Sequence, residues 1–476
     1  MRTVLHWFRR DLRVTDNTAL SEAARRAERV IPVFILEDAL RTGPDVGASR
    51  LAFLFQSLEV LRKNLGVLGY PLVVRRGRSM EVLPELVREL GAEAVFTNKR
   101  PEPYAQSRDE KLFAELNRMG VGYEVFKDAV VWEDQEILTQ AGKPFTVFTP
   151  YSRAWKQRSI PAPRPKLRAA TCEFGQIRSE EIPTDPAEWG HPLKQTLPAA
   201  GERAALEALR SFMAGPVLRY GEARDFPAVE GTSQLSPHLR TGTIGIRTVL
   251  AALGKAREGA DAAGQKSCDV YLSELIWREF YQQVLSNHPH VLKGAFRPEY
   301  DRLEWSDNRE HYQAWCEGRT GYPIVDAAMR CLNATGTMHN RLRMIVAMFL
   351  TKDLMLNWQW GERYFMQQLV DGDLAANNGG WQWSAGTGTD AAPYFRIFNP
   401  VSQGEKFDPD GVFVKRWVPE LESVPAKYVH RPWELGLGFR MTRYVERVVL
   451  HEVQRPRCLA MFKAVRVPPG GQDTKG

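Results

Sequence analysis

Cysteine is scarce and poorly placed for chemistry. The five residues, Cys172, Cys268, Cys316, Cys331 and Cys458, include no Cys-x-x-Cys pair. An odd, scattered set argues against a disulfide scaffold and offers no zinc-ligand spacing, so a reducing compartment is expected and a metal site is not. No uninterrupted apolar run approaches the ~18 residues that a membrane span needs. The start, Met1-Arg2-Thr3-Val4-Leu5-His6-Trp7, enters a strand-like stretch without the apolar core of a signal peptide. A cytoplasmic chain without membrane contact is the expectation. Internal repeats are missing too, and neither G-x-G-x-x-G nor G-x-x-x-x-G-K-[ST] follows the first strand. That weakens a nucleotide reading of the N-terminal region while leaving room for a small planar ligand.

What is present is ordinary in bulk. The 476 residues are 43% hydrophobic and 25% charged, which fits a globular chain of roughly two or three domains. A net charge of +7 suits anionic partners, nucleic acid among them, and suits a basic enzyme equally well. Short β-rich runs at Thr3–Phe8, Val30–Leu36, Pro71–Arg75, Ala94–Thr97 and Gly122–Phe126 alternate with helical patterns. This predicts a parallel α/β domain over residues 1–130. The stretch Ile160-Pro161-Ala162-Pro163-Arg164-Pro165 marks a connector, placed at 131–200, because proline removes backbone donors. Helical patterns dominate 201–462, and 463–476 reads as a disordered tail.

Several constellations carry chemistry. Glu274, Trp277, Arg278 and Tyr281 fall at i, i+3, i+4 and i+7, so a helix places an acid, an indole, a guanidinium and a phenol on one face. Such a face can bind a base; it can equally line a core whose polar tips pair with one another. Apolar spacing predicts a helix over Gly336–Lys352 in which Asn340 and Met344 share a face, with Arg343 beside them and Arg341 pointing elsewhere. Arg343 could then pair with an acid such as Asp371, and Arg341 could touch a phosphate. His339 reads as a structural histidine or a proton shuttle. Tyr220 and Thr232-Ser233-Gln234-Leu235-Ser236 offer hydroxyls and amides suited to a phosphate or to a plain helix cap. Asp371-Gly372-Asp373 precedes the paired amides Asn377-Asn378 and the tryptophans Trp381 and Trp383. Thirteen tryptophans in all is a high number, though most buried ones simply fill cores.

Together these residues resemble one family. Trp7-Phe8-Arg9-Arg10-Asp11-Leu12-Arg13, Trp277-Arg278-Glu279-Phe280, Gly321-Tyr322-Pro323-Ile324-Val325-Asp326-Ala327, Thr337–Met344, Asp371–Trp383 and Phe395-Arg396-Ile397-Phe398-Asn399-Pro400 are similar to the motifs of photolyases and cryptochromes, in the same order. The resemblance implies an α/β antenna domain, a helical domain holding FAD, and a monomer that binds UV-damaged DNA. It implies FAD contacts from Tyr220, Thr232, Ser233, Gln234, Leu235, Ser236, Tyr271, Arg278, Asn340, Arg343, Asp371, Gly372, Asp373 and Asn377. Trp381, Trp358 and Trp305 would relay electrons to the flavin. Glu274, Trp277, Asn340, Met344 and Trp383 would line the lesion pocket, and Arg278, Tyr281, Arg341, Arg396 and Gln403 would contact DNA. Glu274 and Asn377 would be catalytic, the first stabilising the lesion radical and the second facing flavin N5.

The same resemblance selects a subtype. Repairers of (6-4) photoproducts carry a histidine where Met344 stands, and single-strand repairers a glutamine. Met344 offers only an apolar, polarizable surface, which suits cyclobutane pyrimidine dimers, split by an electron that later returns. Plant cryptochromes have aspartate where Asn377 stands. A second, light-harvesting chromophore is implied. Tyr104-Ala105 replace the Asn-Glu pair of folate-binding relatives, so methenyltetrahydrofolate is disfavoured; Glu102-Pro103-Tyr104, Arg108-Asp109 and Gly47-Ala48-Ser49-Arg50 favour an 8-hydroxy-deazaflavin type. The rival reading is a blue-light photoreceptor of the same fold, whose members often carry long C-terminal extensions.

Overall fold

The computed structural model describes residues 1–466. Its N-terminal part is a five-stranded parallel sheet of β1 (Thr3–Phe8), β2 (Arg29–Leu36), β3 (Val73–Arg76), β4 (Ala94–Asn98) and β5 (Gly122–Phe126), in the order β3-β2-β1-β4-β5. Every residue of β1 is buried, as expected of a central strand covered on both faces. Alternation along it feeds two cores: Val4 and Phe8 face one, Leu5 and Trp7 the other. Helices α1 (Thr18–Arg26), α2 (Ala48–Val67), α3 (Ser79–Leu90) and α4 (Pro103–Arg118) supply the covering layers. The sheet order reverses between β1 and β4, the place where such sheets bind ligands at their carboxyl ends.

The connector is more structured than its prolines suggest. It contains α5 (Phe148–Lys156), whose buried Tyr151 and Trp155 anchor it. Beyond it come α6 (Ser236–Thr241) and the long α7 (Ala262–Asn287). Gly242, which ends α6 in a left-handed conformation, lies so close to the chain after β1 that an added Cβ would come within 2.0 Å of the Arg10 carbonyl oxygen. The expected helix over Gly336–Lys352 is α8, and it is shorter, Asn340–Met348. His339 caps it, Nδ1 accepting from the Arg341 amide at 3.2 Å, so the chain before it cannot be helical. Phe349–Asp353 then winds into a π-turn, which turns the buried Lys352 onto the Ala385 carbonyl at 2.6 Å. Helices α9 (Trp358–Gln368), α10 (Leu374–Ala385) and α11 (His451–Arg466) complete the site-bearing elements. Helix α11 passes four residues beyond the expected start of the tail; 467–476 lie outside the described residues.

By contacts the chain falls into two units. One comprises Met1–Glu222, Gly231–Asn287 and Val370–Ala375; the other comprises Ala223–Glu230, His288–Leu369 and Ala376–Gly476. The second unit is built on a core of Trp315, Tyr322, Leu342, Val346, Phe365 and Trp381 among others. Among the described residues no helix is long and apolar enough to cross a membrane.

Candidate functional site

In the first unit, α7 carries Glu274, Trp277, Arg278 and Tyr281 along one half-buried face, while Leu275, Ile276, Glu279 and Phe280 point into the interior. The i, i+3, i+4, i+7 spacing thus gives the face that the sequence predicts. Trp277 meets Tyr281 with ring centroids 5.4 Å apart and Phe280 edge-on at 5.5 Å. Tyr220 and Tyr271 are buried against each other, centroids 5.1 Å apart, with Phe212 beside both. The turn 232–236 is stitched by its own side chains: Gln234 Nε2 donates to Thr232 Oγ1 at 2.8 Å, and Gln234 takes φ +54°. A non-glycine residue in that region needs a reason, and a turn shaped to present amides supplies one.

At the sheet's switch point lies an open cleft lined by Arg10, Arg100, Glu102, Arg240, Arg278 and Asp373, with Asn98 and Asp128 among the rest. Arg10 follows β1 and Arg100 follows β4, so the fold itself places two guanidinia at the point of strand reversal. Arg240 Nε and Arg50 Nη1 both donate to the Gly372 carbonyl, at 3.3 and 3.4 Å. Arg278 donates to the carbonyls of Ala129 at 2.8 Å and Leu239 at 3.5 Å. The acids are too few. Glu102 pairs with Arg10 at 2.7 Å and Arg100 at 2.6 Å, and Asp373 with Arg10 at 3.3 Å. Burial, then Arg10, Arg50 and Arg100, push Arg240 far below the usual guanidinium range. Burial followed by Arg10 lowers Arg50 to about 10, and burial lowers Arg10 and Arg278 as well. Glu102 is held below the carboxylate range, since Arg10 and Arg100 outweigh its burial. A desolvated surplus of positive charge at hydrogen-bond-rich groups fits a ligand bearing phosphate or another anion.

Sequence reasoning found only part of this cleft. Arg50 and Glu102 were expected near a second chromophore. Arg108 and Asp109, expected with them, turn elsewhere: Arg108 to Glu37 at 3.2 Å, Asp109 to Arg9 at 2.8 Å. Tyr104 is exposed. Arg10, Arg100 and Arg240 had no assigned role; arginines directly after two central strands were the available signal.

In the second unit, Arg341 is held in place. Its Nη2 pairs with Asp225 at 2.8 Å, its guanidinium lies 4.4 Å over the Phe407 ring, and Nη1 reaches Met344 Sδ at 3.8 Å. Lys406 sits 5.1 Å over the same ring. Arg343 Nε donates to the Met338 carbonyl at 2.8 Å, and Asn340 at the helix start is exposed. His339 is neutral at ordinary pH, lowered to about 4 chiefly by burial, so it is the structural cap rather than a cation. Asn377 Nδ2 donates to the Glu362 carbonyl at 2.9 Å, which ties α10 to α9. Trp383 is half-buried; Arg396 is exposed and Gln403 partly so.

The three relay candidates differ in exposure: Trp381 at 2%, Trp358 at 3%, Trp305 half-buried. Trp381 lies against Gly361, one turn after Trp358 on α9; a Cβ there would fall 2.0 Å from the indole. Only glycine lets α10 approach that closely. Phe365 and Trp315 meet Trp381 edge-on at 5.0 and 6.0 Å.

Two family models match the chain. Residues 4–168 match the model for DNA photolyase, and residues 271–464 match the model for the FAD binding domain of DNA photolyase. A deoxyribodipyrimidine photo-lyase of Vibrio cholerae is 42% identical over 97% of this chain and 99% of that one. Among solved structures, a bacterial class III photolyase from Agrobacterium tumefaciens superposes with a TM-score of 0.91 at 37% identity, covering 98% of both chains. An archaeal photolyase from Sulfolobus tokodaii with two FAD molecules gives 0.84 at 32%, covering 97% of this chain and 100% of that one. The chain belongs to the photolyase/cryptochrome family and carries its FAD-binding domain.

Proposed function

We propose that the chain repairs cyclobutane pyrimidine dimers in DNA by light-driven electron transfer. The observation that carries this reading is the α7 face, where a carboxylate, an indole, a guanidinium and a phenol stand together and half-buried. That is the equipment for holding a base outside its stack. Bound FAD, in its fully reduced form, supplies the electron on blue-light excitation.

The chain's own groups do the rest. In the first unit Tyr220, Thr232–Ser236, Tyr271, Arg278 and Asp371–Asp373 hold the cofactor, and the hydroxyls and amides of the 232–236 turn suit its diphosphate. In the second unit Asn340 and Arg343 add contacts. Asn377, tied to the Glu362 carbonyl through one hydrogen of Nδ2, would offer the flavin its Oδ1 as acceptor or its second N–H as donor. Trp277 and Trp383 stack on the extruded bases, Met344 supplies an apolar contact, and Glu274 hydrogen-bonds the dimer and stabilises charge that develops on it. Arg341, braced by Asp225 and Phe407, meets a backbone phosphate without first having to be ordered; Arg396, Gln403 and Tyr281 extend that contact. Trp381, Trp358 and Trp305 pass electrons inward, the buried pair in a dry setting and Trp305 at the solvent.

The switch-point cleft extends the proposal. A second, light-harvesting chromophore bound there would be acidic, as an 8-hydroxy-deazaflavin is, because the arginines of the cleft, Arg10, Arg100, Arg240 and Arg278, outnumber the carboxylates paired with them, Glu102 and Asp373. The Sulfolobus tokodaii relative, with its two FAD molecules, is a precedent for a second site.

The deciding test mixes photoreduced protein with a thymine-dimer oligonucleotide under blue light and in darkness. Recovery of thymine absorbance in the light alone is expected. Absence of recovery from protein whose FAD photoreduces normally would instead favour a photoreceptor.

A further inference from the structure

The connector does more than join domains. Residues 131–156 wrap the outer side of α7 and are buckled there by one carboxylate. Glu279, fully buried, accepts from the amides of Val131 at 2.7 Å and Trp132 at 3.0 Å, from Trp155 Nε1 at 2.6 Å and from the Tyr151 hydroxyl at 3.4 Å. Burial pushes its pKa up to about 7, and the Val131 amide, the Trp155 indole, the Trp132 amide and the charge of Arg278 oppose that. Gln283, one turn further, donates to the Phe145 carbonyl at 2.8 Å, and Lys156 reaches Ser273 at 3.5 Å. Both ends of α5 are therefore pinned to α7.

The pinning puts one ring in a particular place. Phe148, the first residue of α5, lies flat on Trp277, with centroids 3.8 Å apart and planes 7° from parallel. Phe280 meets that indole edge-on and Tyr281 meets it tilted. Phe148 also meets Phe280 edge-on at 5.8 Å, so it is itself braced by the core. A half-buried indole on a helix would otherwise lose rotamer freedom whenever a base stacked on it; a ring already fixed from behind has lost that freedom in advance.

Resting on the reading of Trp277 as a lesion contact, we infer that Phe148 is a positioning residue for damage recognition: the connector strap, buckled at Glu279, presents it as the backing plate of Trp277, leaving the opposite indole face for the extruded pyrimidine. Phe148 touches no reacting atom and acts only through Trp277. The strap is thereby a part of the substrate pocket.

The test measures affinity in darkness for a dimer-containing oligonucleotide and for the same oligonucleotide undamaged, using the FAD-loaded full chain. Phe148→Leu keeps bulk and apolarity but removes the flat partner. Dimer affinity should fall about fivefold, the size of the ordering cost of one side chain. Undamaged affinity should stay put, so the selectivity ratio moves, while the lost ring pair lowers the melting temperature only slightly. Phe148→Tyr should restore the ratio. An unchanged or improved ratio in Phe148→Leu overturns the inference, the latter because it would make Phe148 an occluding group. Failure of Phe148→Tyr to restore the ratio also overturns it, since bulk alone would then be at work. Trp277→Ala is run in parallel. If it loses selectivity while Phe148→Leu does not, only the backing role fails; if both keep selectivity, the assignment of Trp277 to the lesion has failed first.

Discussion

Two arginine clusters in the first unit, one buried and one half-buried, lie side by side and differ in how their charges are matched. In one, Arg13 and Arg247 are matched to Asp16 and Asp128: Arg13–Asp128 at 2.6 Å, Arg247–Asp16 at 2.7 Å and Arg247–Asp128 at 2.7 Å. Every one of these side chains is buried, Arg13 is raised above the guanidinium range because its acidic partners outweigh burial, and Asp128 is lowered despite burial by the two arginines. In the other, Arg10, Arg50, Arg240 and Arg278 all fall below the usual range, with Glu102 and Asp373 as the chief counter-charges. The first cluster is complete as folded and therefore structural. The second is incomplete, and an anionic ligand would complete it. Burial of charge alone does not identify a binding site; a surplus of one sign does.

The sharpest way to break that comparison is Asp128→Asn. It strips both Arg13 and Arg247 of a partner and should cost about 3–5 kcal/mol of stability, read from denaturant unfolding. Acid should act on the same cluster more gently. Asp11 sits at about 2 rather than 3.8, because the His6 imidazole 3.6 Å away, the Arg9 amide and the charge of Arg13 together overcome its burial. Its contribution is fully present above pH 3.8 and is lost as pH falls toward 2, by about 2 kcal/mol; Asp11→Asn should flatten the stability profile in that window. Smallest in stability terms is Arg240→Met. Removing one unmatched cation should leave the melting temperature unchanged or raise stability by about 1 kcal/mol, yet it should abolish the absorbance of any second chromophore. Equal destabilisation by Asp128→Asn and Arg240→Met would erase the distinction.

The parallel sheet and α7 were legible because both rest on local periodicity, and a 26-residue helix fixes which face Glu274, Trp277, Arg278 and Tyr281 share. The N-terminal limit of α8 was not, since it depends on how His339 directs one nitrogen. The strap was invisible for a different reason: Glu279 and Val131 are 148 positions apart, and no pattern within either stretch announces the other. Its prolines at 161, 163 and 165 spoke for a linker, and they lie beyond α5. The surplus cluster was half legible. Arg50 and Glu102 came from the family resemblance; Arg10, Arg100 and Arg240 required the strand order.

Gly242 bears on how such a cleft can change through descent. Its backbone is pressed against that of Arg10, too close for any side chain. The segment bearing Arg240 and the segment bearing Arg10 are therefore welded main chain to main chain, and neither can lengthen or swing without parting from the other. A lineage that exchanged one ligand of this cleft for another would be left with a rigid frame in which to do it. It would have to retune the cleft by replacing side chains in place, so a shift in ligand should be written in a handful of point substitutions rather than in insertions.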